Sequence, residues 1–110
     1  MAYMPKRGDI IIMDFDPQAG YEQKGRRPAL VVSNETYNRH CKMALVCPIT
    51  HTNKAHAFHV PLPPGMQTSG VVLCDQVRAQ DITARRAQYK EAIPEDILSE
   101  VVDIISAFLD

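Results

Sequence analysis

The chain has 110 residues, 45% of them hydrophobic, and a formal net charge of -1, which fits one small globular domain over residues 1–110. No apolar run approaches the roughly 20 residues of a bilayer span, and the N-terminal MAYMPKRGD has no apolar stretch of signal-peptide length. A cytoplasmic location with no membrane partner is therefore expected, and three cysteines without a C-x-x-C pair fit a reducing compartment.

In chain order, residues 10–15 form the first apolar run and residues 29–32 the second, read as two strands joined by a long polar loop. The loop over residues 16–27 holds Glu22, Gln23, Lys24, Arg26 and Arg27, with Gly20 and Gly25 to bend it. Long loops on a rigid sheet commonly carry chemistry. A carboxylate and an arginine at one loop root suit a phosphodiester. Residues 34–38 are polar and read as a turn or one helical turn. Residues 43–47 form a third strand closed by Pro48, and residues 58–61 a short fourth. Pro63-Pro64-Gly65 is a loop. Residues 70–77 read as one long strand, with allowance for a bend. Residues 81–87 read as a short helix with Asp81 as its N-cap.

The tail is the clearest helix. Pro94 suits a first helical position, and Glu95 and Asp96 follow where the helix dipole favours anions. Ile97, Leu98, Val101, Val102, Ile105, Phe108 and Leu109 recur at three- and four-residue spacing and make one apolar face. Residues 1–90 carry 12 basic and 7 acidic side chains, whereas residues 91–110 carry none and 6. The body is thus mildly basic, which suits a nucleic-acid partner. The charge alone fits an acidic solvated helix on an average protein equally well. Short strands with one terminal amphipathic helix make an α+β or barrel-like domain in which the helix packs on the sheet.

The four histidines give no metal site. His56 and His59 stand three apart in what reads as a strand, and such positions point to opposite faces. His40 and His51 have no companions in sequence, so structural or surface roles are expected, with RNA contact open for His51 and His59. Aromatic residues for base stacking are few. Tyr21 is the best placed and Phe58 the second, although core packing also accounts for Phe58.

The segments Arg7-Gly8-Asp9-Ile10, Asp14-Phe15-Asp16-Pro17, Gly20-Tyr21-Glu22-Gln23, Gly25-Arg26-Arg27-Pro28, Pro48-Ile49-Thr50 and Asp75-Gln76-Val77-Arg78 resemble, in order and spacing, those of the MazF/PemK family of toxin endoribonucleases from bacterial toxin–antitoxin pairs. The resemblance runs from about residue 6 to residue 81, and the terminal helix fits it. It implies an SH3-like, strongly twisted small antiparallel β-barrel with a short helix and a C-terminal amphipathic helix. It also implies a homodimer, cleavage of single-stranded RNA without metal or other cofactor, and inhibition by a cognate antitoxin. Arg27 and Thr50 match the family's main catalytic residues and Glu22 its loop glutamate. Asp75, Gln76 and Arg78 match a segment that contacts RNA. Some members have a histidine where this chain has Tyr21, and an arginine where it has Leu73, so mechanisms resting on those groups do not transfer.

Metal-free RNA cleavage uses the substrate's 2′-OH as nucleophile. It needs a base for that proton and donors for the charge growing on phosphorus-bound oxygens. A guanidinium suits the second task, because it is permanently charged and grips two oxygens at once. Pro28 favours an extended backbone at Arg27. The Thr50 hydroxyl can donate to a phosphate oxygen, or cap a turn. Glu22 is either the base or a loop-shaping partner of Arg26 or Lys24. Asp75 is the rival base, or a carboxylate organising Arg78. No histidine occupies a matching position to serve as general acid. Two other readings stand beside this one. One is a related toxin of similar barrel that poisons DNA gyrase by binding and relies on a terminal tryptophan, a residue type absent here. The other is a non-catalytic adaptor.

Overall fold

The computed structural model describes residues 3–15, 25–51 and 57–110. Seven strands and two helices follow one another among these residues: β1 Asp9–Phe15, β2 Gly25–Val31, α1 Glu35–Cys41, β3 Met43–Thr50, β4 His59–Pro61, β5 Val71–Leu73, β6 Arg78–Asp81, β7 Gln88–Ala92 and α2 Glu95–Phe108. The strands pair antiparallel in the order β4-β5-β3-β2-β1-β7, and β6 joins the remaining stretch of β3. The end strands β4 and β7 do not pair among the described residues, so the sheet is open rather than a closed barrel.

Alternation along the strands divides the core in two. Ile10, Leu30, Cys47, Ile49, Val60 and Val72 belong to one buried cluster, against which Ile97, Leu98, Ile104 and Ile105 of α2 pack. Ile11, Met13, Ala29, Val31, Ala44 and Val46 belong to the other, closed by Ile82 and by the partly buried Tyr3 and Ala87. The predicted tail helix is α2, and its fully buried anchor is Val101. Its acidic residues Glu95, Asp96, Glu100 and Asp103 are exposed.

The polar segment at residues 34–38 opens a two-turn helix. Asn34 caps α1 by accepting from the Tyr37 backbone N–H, and Lys42 closes it in the left-handed region at φ 55°. Buried Asn38 donates to the carbonyls of Pro5 and Ser33, while the Ser33 hydroxyl donates to the Asn38 side chain and accepts from Leu45 N–H. These bonds satisfy polar groups that burial would otherwise penalise.

The structure corrects three expectations. First, β2 starts at Gly25, inside the span read as loop, and Gly25, Arg26 and Arg27 face Phe15, Asp14 and Met13. The pairing extends beyond the apolar pattern because these residues line an exposed part of the ladder.

Second, the stretch 70–77 is not one strand. Ile49 faces Val72, but Val46 faces Arg78, so Cys47 and Pro48 of β3 lie opposite residues 73–77. The three surplus residues form a 3-10 turn, Cys74–Gln76. Pro48 sits at the break, where a missing N–H is tolerated.

Third, residues 81–87 are not a helix. Asp81 ends β6, and its carboxylate accepts from Ala84 N–H at 2.9 Å, meeting the cap role without a helix behind it. Ala87 N–H then bonds the Ile82 carbonyl and Arg86 N–H that of Thr83, with Arg86 at φ 51°. This is the Schellman closure that normally recruits glycine. Strand β7 carries no apolar alternation and gave no signal in the sequence; its residues are exposed or half-buried.

Candidate active site

Arg27 lies near the start of β2 and Thr50 at the end of β3. Ala29 faces Pro48 and Leu30 faces Cys47. Carried two residues further, that register sets Arg27 across from Thr50. Alternation from Ala29 and Val31, and from Ala44 and Val46, places both residues on the sheet face opposite α2. Arg27 is exposed, whereas Thr50 is only 5% exposed. Arg78 faces Val46 and so shares this side.

Thr50 is held from its other edge as well. It pairs with Val71, and Gly70 passes directly over it at φ +121°. A Cβ on Gly70 would lie 2.3 Å from the Thr50 carbonyl oxygen, so only glycine fits.

The 3-10 turn carries Asp75 and Gln76 out of the sheet beside this row. The turn's other side is buried: Cys74 joins the α2-facing cluster. Asp75 Oδ1 lies 3.2 Å from His59 Nε2, with side-chain exposures of 40% and 4%. Asp75 thus pairs with His59. Gln76 Oε1 is buried without a hydrogen-bond partner among the described residues. His59 faces Leu73, two residues along from the Thr50–Val71–Pro61 row, which puts it on the same face as Thr50. In the sequence alone, RNA contact by His59 is an open possibility and no partner for it is apparent. The local sequence held no signal for the pair, because it depends on the β4–β5 register and on the break after Leu73.

Phe58 goes elsewhere. Its ring makes an edge-to-face contact with Phe108 of α2, centroids 5.0 Å apart, although it stays 46% exposed. His51 is exposed, its Nδ1 3.2 Å from the Ser69 hydroxyl. Glu22 and Tyr21, with Gln23, Lys24, Gly20 and His56, lie outside the described residues.

Arg26 alternates to the opposite face from Arg27 and is engaged there. It donates to Asp14 Oδ1 at 3.0 Å, to Gln88 Oε1 at 3.1 Å and to the Arg86 carbonyl at 2.7 Å. Arg86 Nε donates to Asp14 Oδ2 at 2.8 Å. Hydrogen bonds from Arg86 and Arg26 hold the Asp14 carboxyl below the ordinary carboxylate range. The loop root is therefore clamped by ion pairs that leave Arg27 on the other side. Burial, and then the neighbouring carboxylate of Asp75, pushes the Cys74 thiol up to about 11. Burial, then Cys74 and Asp75, raises Cys47 as well, so neither thiol is a nucleophile at neutral pH.

By register and alternation the Arg27 guanidinium and the Thr50 hydroxyl share one face of the sheet, and the Asp75 carboxylate stands on the adjoining turn.

The Escherichia coli K12 protein named endoribonuclease toxin MazF is 43% identical, with 86% of each chain covered. MazF from Deinococcus radiodurans superposes with a TM-score of 0.91 at 42% identity, covering 98% of both chains. A MazE–MazF structure from the same organism gives 0.87 at 40% identity, covering 97% of both. Residues 6–109 match the family model described as PemK-like, MazF-like toxin of type II toxin–antitoxin system, and the chain belongs to that family.

Proposed function

We propose that this protein is the toxin of a type II toxin–antitoxin pair and a sequence-specific endoribonuclease that cuts single-stranded mRNA through its own 2′-OH, arresting translation and growth. The reading is supported by the β2–β3 register at Ala29–Pro48, which, extended by two residues, brings Arg27 opposite Thr50 on one face. Arg27 grips the non-bridging oxygens of the scissile phosphate, where charge grows in the transition state. Thr50 adds a hydroxyl donor. Since it is 5% exposed, its contact with phosphate needs local rearrangement on binding.

A carboxylate, Glu22 or Asp75, takes the proton of the 2′-OH. The new O2′–P bond forms as the P–O5′ bond breaks, and a proton from solvent completes the leaving 5′-hydroxyl. The products are a 2′,3′-cyclic phosphate and a 5′-OH, and no step draws on a metal. Tyr21, Gln76 and Arg78 contact the RNA. Phe58 contributes only if the strand passes round to the α2 side.

The protein works in the cytoplasm as a homodimer, its open antiparallel sheet curled in an SH3-like manner, with a cognate antitoxin as its inhibitor. The antitoxin reading is supported by the family and by the MazE-bound relative. Gyrase poisoning and a purely adaptor role are not favoured, because a 43% identical relative is named an endoribonuclease.

The test is an RNA with deoxyribose on the 5′ side of the mapped cut. Cleavage should stop on that substrate and persist in EDTA on the all-ribose one. Cutting of the deoxy substrate would disprove the 2′-OH mechanism.

A further inference from the structure

Thr50 stands at the end of β3, and the β2–β3 pairs stop at Ala29 and Pro48, two residues short of it. The strand that pairs with Thr50 is β5, through Val71, and Gly70 passes over its carbonyl. Whatever fixes the start of β5 therefore bears on where the Thr50 hydroxyl lies.

The chain enters β5 through the loop at residues 62–70. Its base is closed where the Leu62 N–H donates to the Gly70 carbonyl at 2.9 Å, and Leu62 and Met66 pack on the α2-facing cluster. A residue from far along the chain anchors the rest. Glu91 of β7 faces Ile10 of β1. Its Oε1 accepts from the Gln67 N–H at 3.1 Å. Its Oε2 accepts from the Thr68 N–H at 2.7 Å and from the Thr68 hydroxyl at 2.6 Å. Thr68 is buried. Burial opposes charge on Glu91, but the hydrogen bonds from Thr68 and Gln67 outweigh it and hold the carboxyl below its ordinary range. The carboxylate is thus ionised at neutral pH, and hydrogen bonds to an ionised acceptor are the stronger kind.

In the sheet order β3, β2 and β1 separate β5 from β7, so this carboxylate bridges the two flanks of the open sheet. Four consecutive residues then connect it to the candidate site. Gln67 and Thr68 bind Glu91, the Ser69 hydroxyl lies 3.2 Å from His51 Nδ1, and Gly70 covers the Thr50 carbonyl. Gly70 is packed so closely there that a shift of the segment is passed on to the Thr50 backbone.

We propose that Glu91 is a positioning residue for RNA cleavage: its carboxylate fixes residues 67–70, and these set the backbone that carries Thr50. The proposal rests on the endoribonuclease reading above and adds a residue that acts on the reaction through Thr50 from the opposite flank of the sheet.

The test compares cleavage, binding and hydrogen exchange in the full chain. In Glu91→Ala the single-turnover rate should fall about tenfold to a hundredfold, the scale of a displaced reacting group. Binding of the uncleavable 2′-deoxy RNA should not change. Glu91→Gln keeps one oxygen that can accept both Thr68 bonds and loses the bond from Gln67, so it should recover most of the rate. Asp81→Ala removes the turn cap opposite the far end of β3 and controls for lost stability; below its melting temperature it should cut like the wild type. In a Thr50→Val background Glu91→Ala should slow cleavage far less than in the wild type, because the hydroxyl it positions has gone. Exchange needs no substrate. In Glu91→Ala the Leu62 amide, bonded to Gly70, should lose more protection than the Val32 amide, bonded to Leu45 in the core. If Glu91→Ala does not fold, Thr68→Val removes the hydroxyl arm alone and should show the same pattern to a smaller extent.

Full cleavage by the folded Glu91→Ala protein would overturn the positioning role. So would an equal fold-loss with and without the Thr50 hydroxyl, or an equal loss of protection at Leu62 and Val32, since either is what general destabilisation produces. Failure of the wild type to cut any RNA would overturn the nuclease reading instead, and the exchange pattern would still decide whether Glu91 holds the segment.

Discussion

Arg27 stands on the exposed end of β2, opposite buried Met13 and on the face away from α2. Pro28 follows it in the strand and removes a backbone donor, which is tolerated in an outlying part of a ladder. If the guanidinium fork holds two phosphate oxygens, Arg27→Lys keeps the charge and loses the geometry. Single-turnover cleavage should then drop by about 10²–10³, while binding of an uncleavable RNA changes little. Retention of near-full rate in the folded variant would remove Arg27 from the phosphate. Gly70 is the second residue on which the site depends. Gly70→Ala puts a Cβ into the Thr50 carbonyl at a left-handed φ, so backbone strain alone should cost about 1–3 kcal/mol. Urea denaturation should show that loss, together with reduced cleavage, because the β5 edge that holds Thr50 must move.

At the scale of elements, the notable device is the clamp that ties β1, β2 and the turn after β6 together. Asp14 faces Arg26 across the ladder, and Arg86 reaches Asp14 from a turn that it closes in the left-handed region. Arg86→Gly loses the ion pair but relaxes the backbone, whereas Arg86→Ala loses the ion pair and keeps the strain. Thermal unfolding should therefore rank the glycine variant above the alanine variant. The clamp also has a pH signature. The Asp14 carboxyl titrates lower in the folded chain than in the unfolded one, so its stabilisation is present above the unfolded value and is lost as pH falls through the folded one. Below about pH 4, wild-type stability should fall more steeply than that of Asp14→Asn. Parallel acid limbs for the two proteins would show that the clamp carries no weight.

For the whole molecule, the exposed acids of the terminal helix stand apart from the arginines of the candidate site. Arg27 and Arg78 lie on the face away from α2, and the exposed acids Glu95, Asp96, Glu100 and Asp103 line the helix on the other. On the proposed function, an acidic antitoxin segment would be attracted to the arginines and repelled by the helix, so it should compete with RNA for the Arg27 face. In a titration of the uncleavable deoxy RNA, the antitoxin should displace RNA, and the competition should weaken as salt is raised. Simultaneous binding with no mutual effect would place the antitoxin elsewhere. Light scattering on the same samples should give twice the chain mass at micromolar concentration; a monomer would remove the homodimer from the proposal.

How much of this was legible follows from the range of the interactions. The apolar runs gave β1, β3 and the heart of β2, and the three- and four-residue spacing after Pro94 gave α2, because burial of one face imprints a period on the local sequence. The ordered motifs pointed to Arg27, Thr50, Asp75, Gln76 and Arg78 without any geometry. Glu22 and Tyr21 rest on the sequence alone, since they lie outside the described residues.

What the chain could not announce locally is whatever depends on register. The strand at residues 70–77 breaks because β3 pairs with β5 and β6 in registers three residues apart, and no local signal records the partner's register. That break sets Asp75 against His59, and the β2–β3 register, extended two residues beyond Ala29–Pro48, sets Arg27 across from Thr50. Strand β7 escaped notice because pairing, rather than an apolar pattern, makes it a strand. The sequence by itself determined the family, the terminal amphipathic helix and several of the strands, and it named the candidate site residues. Only the tertiary structure decided which of those residues meet, because side chains far apart in sequence are brought together by ladder register, and register is a property of two strands at once.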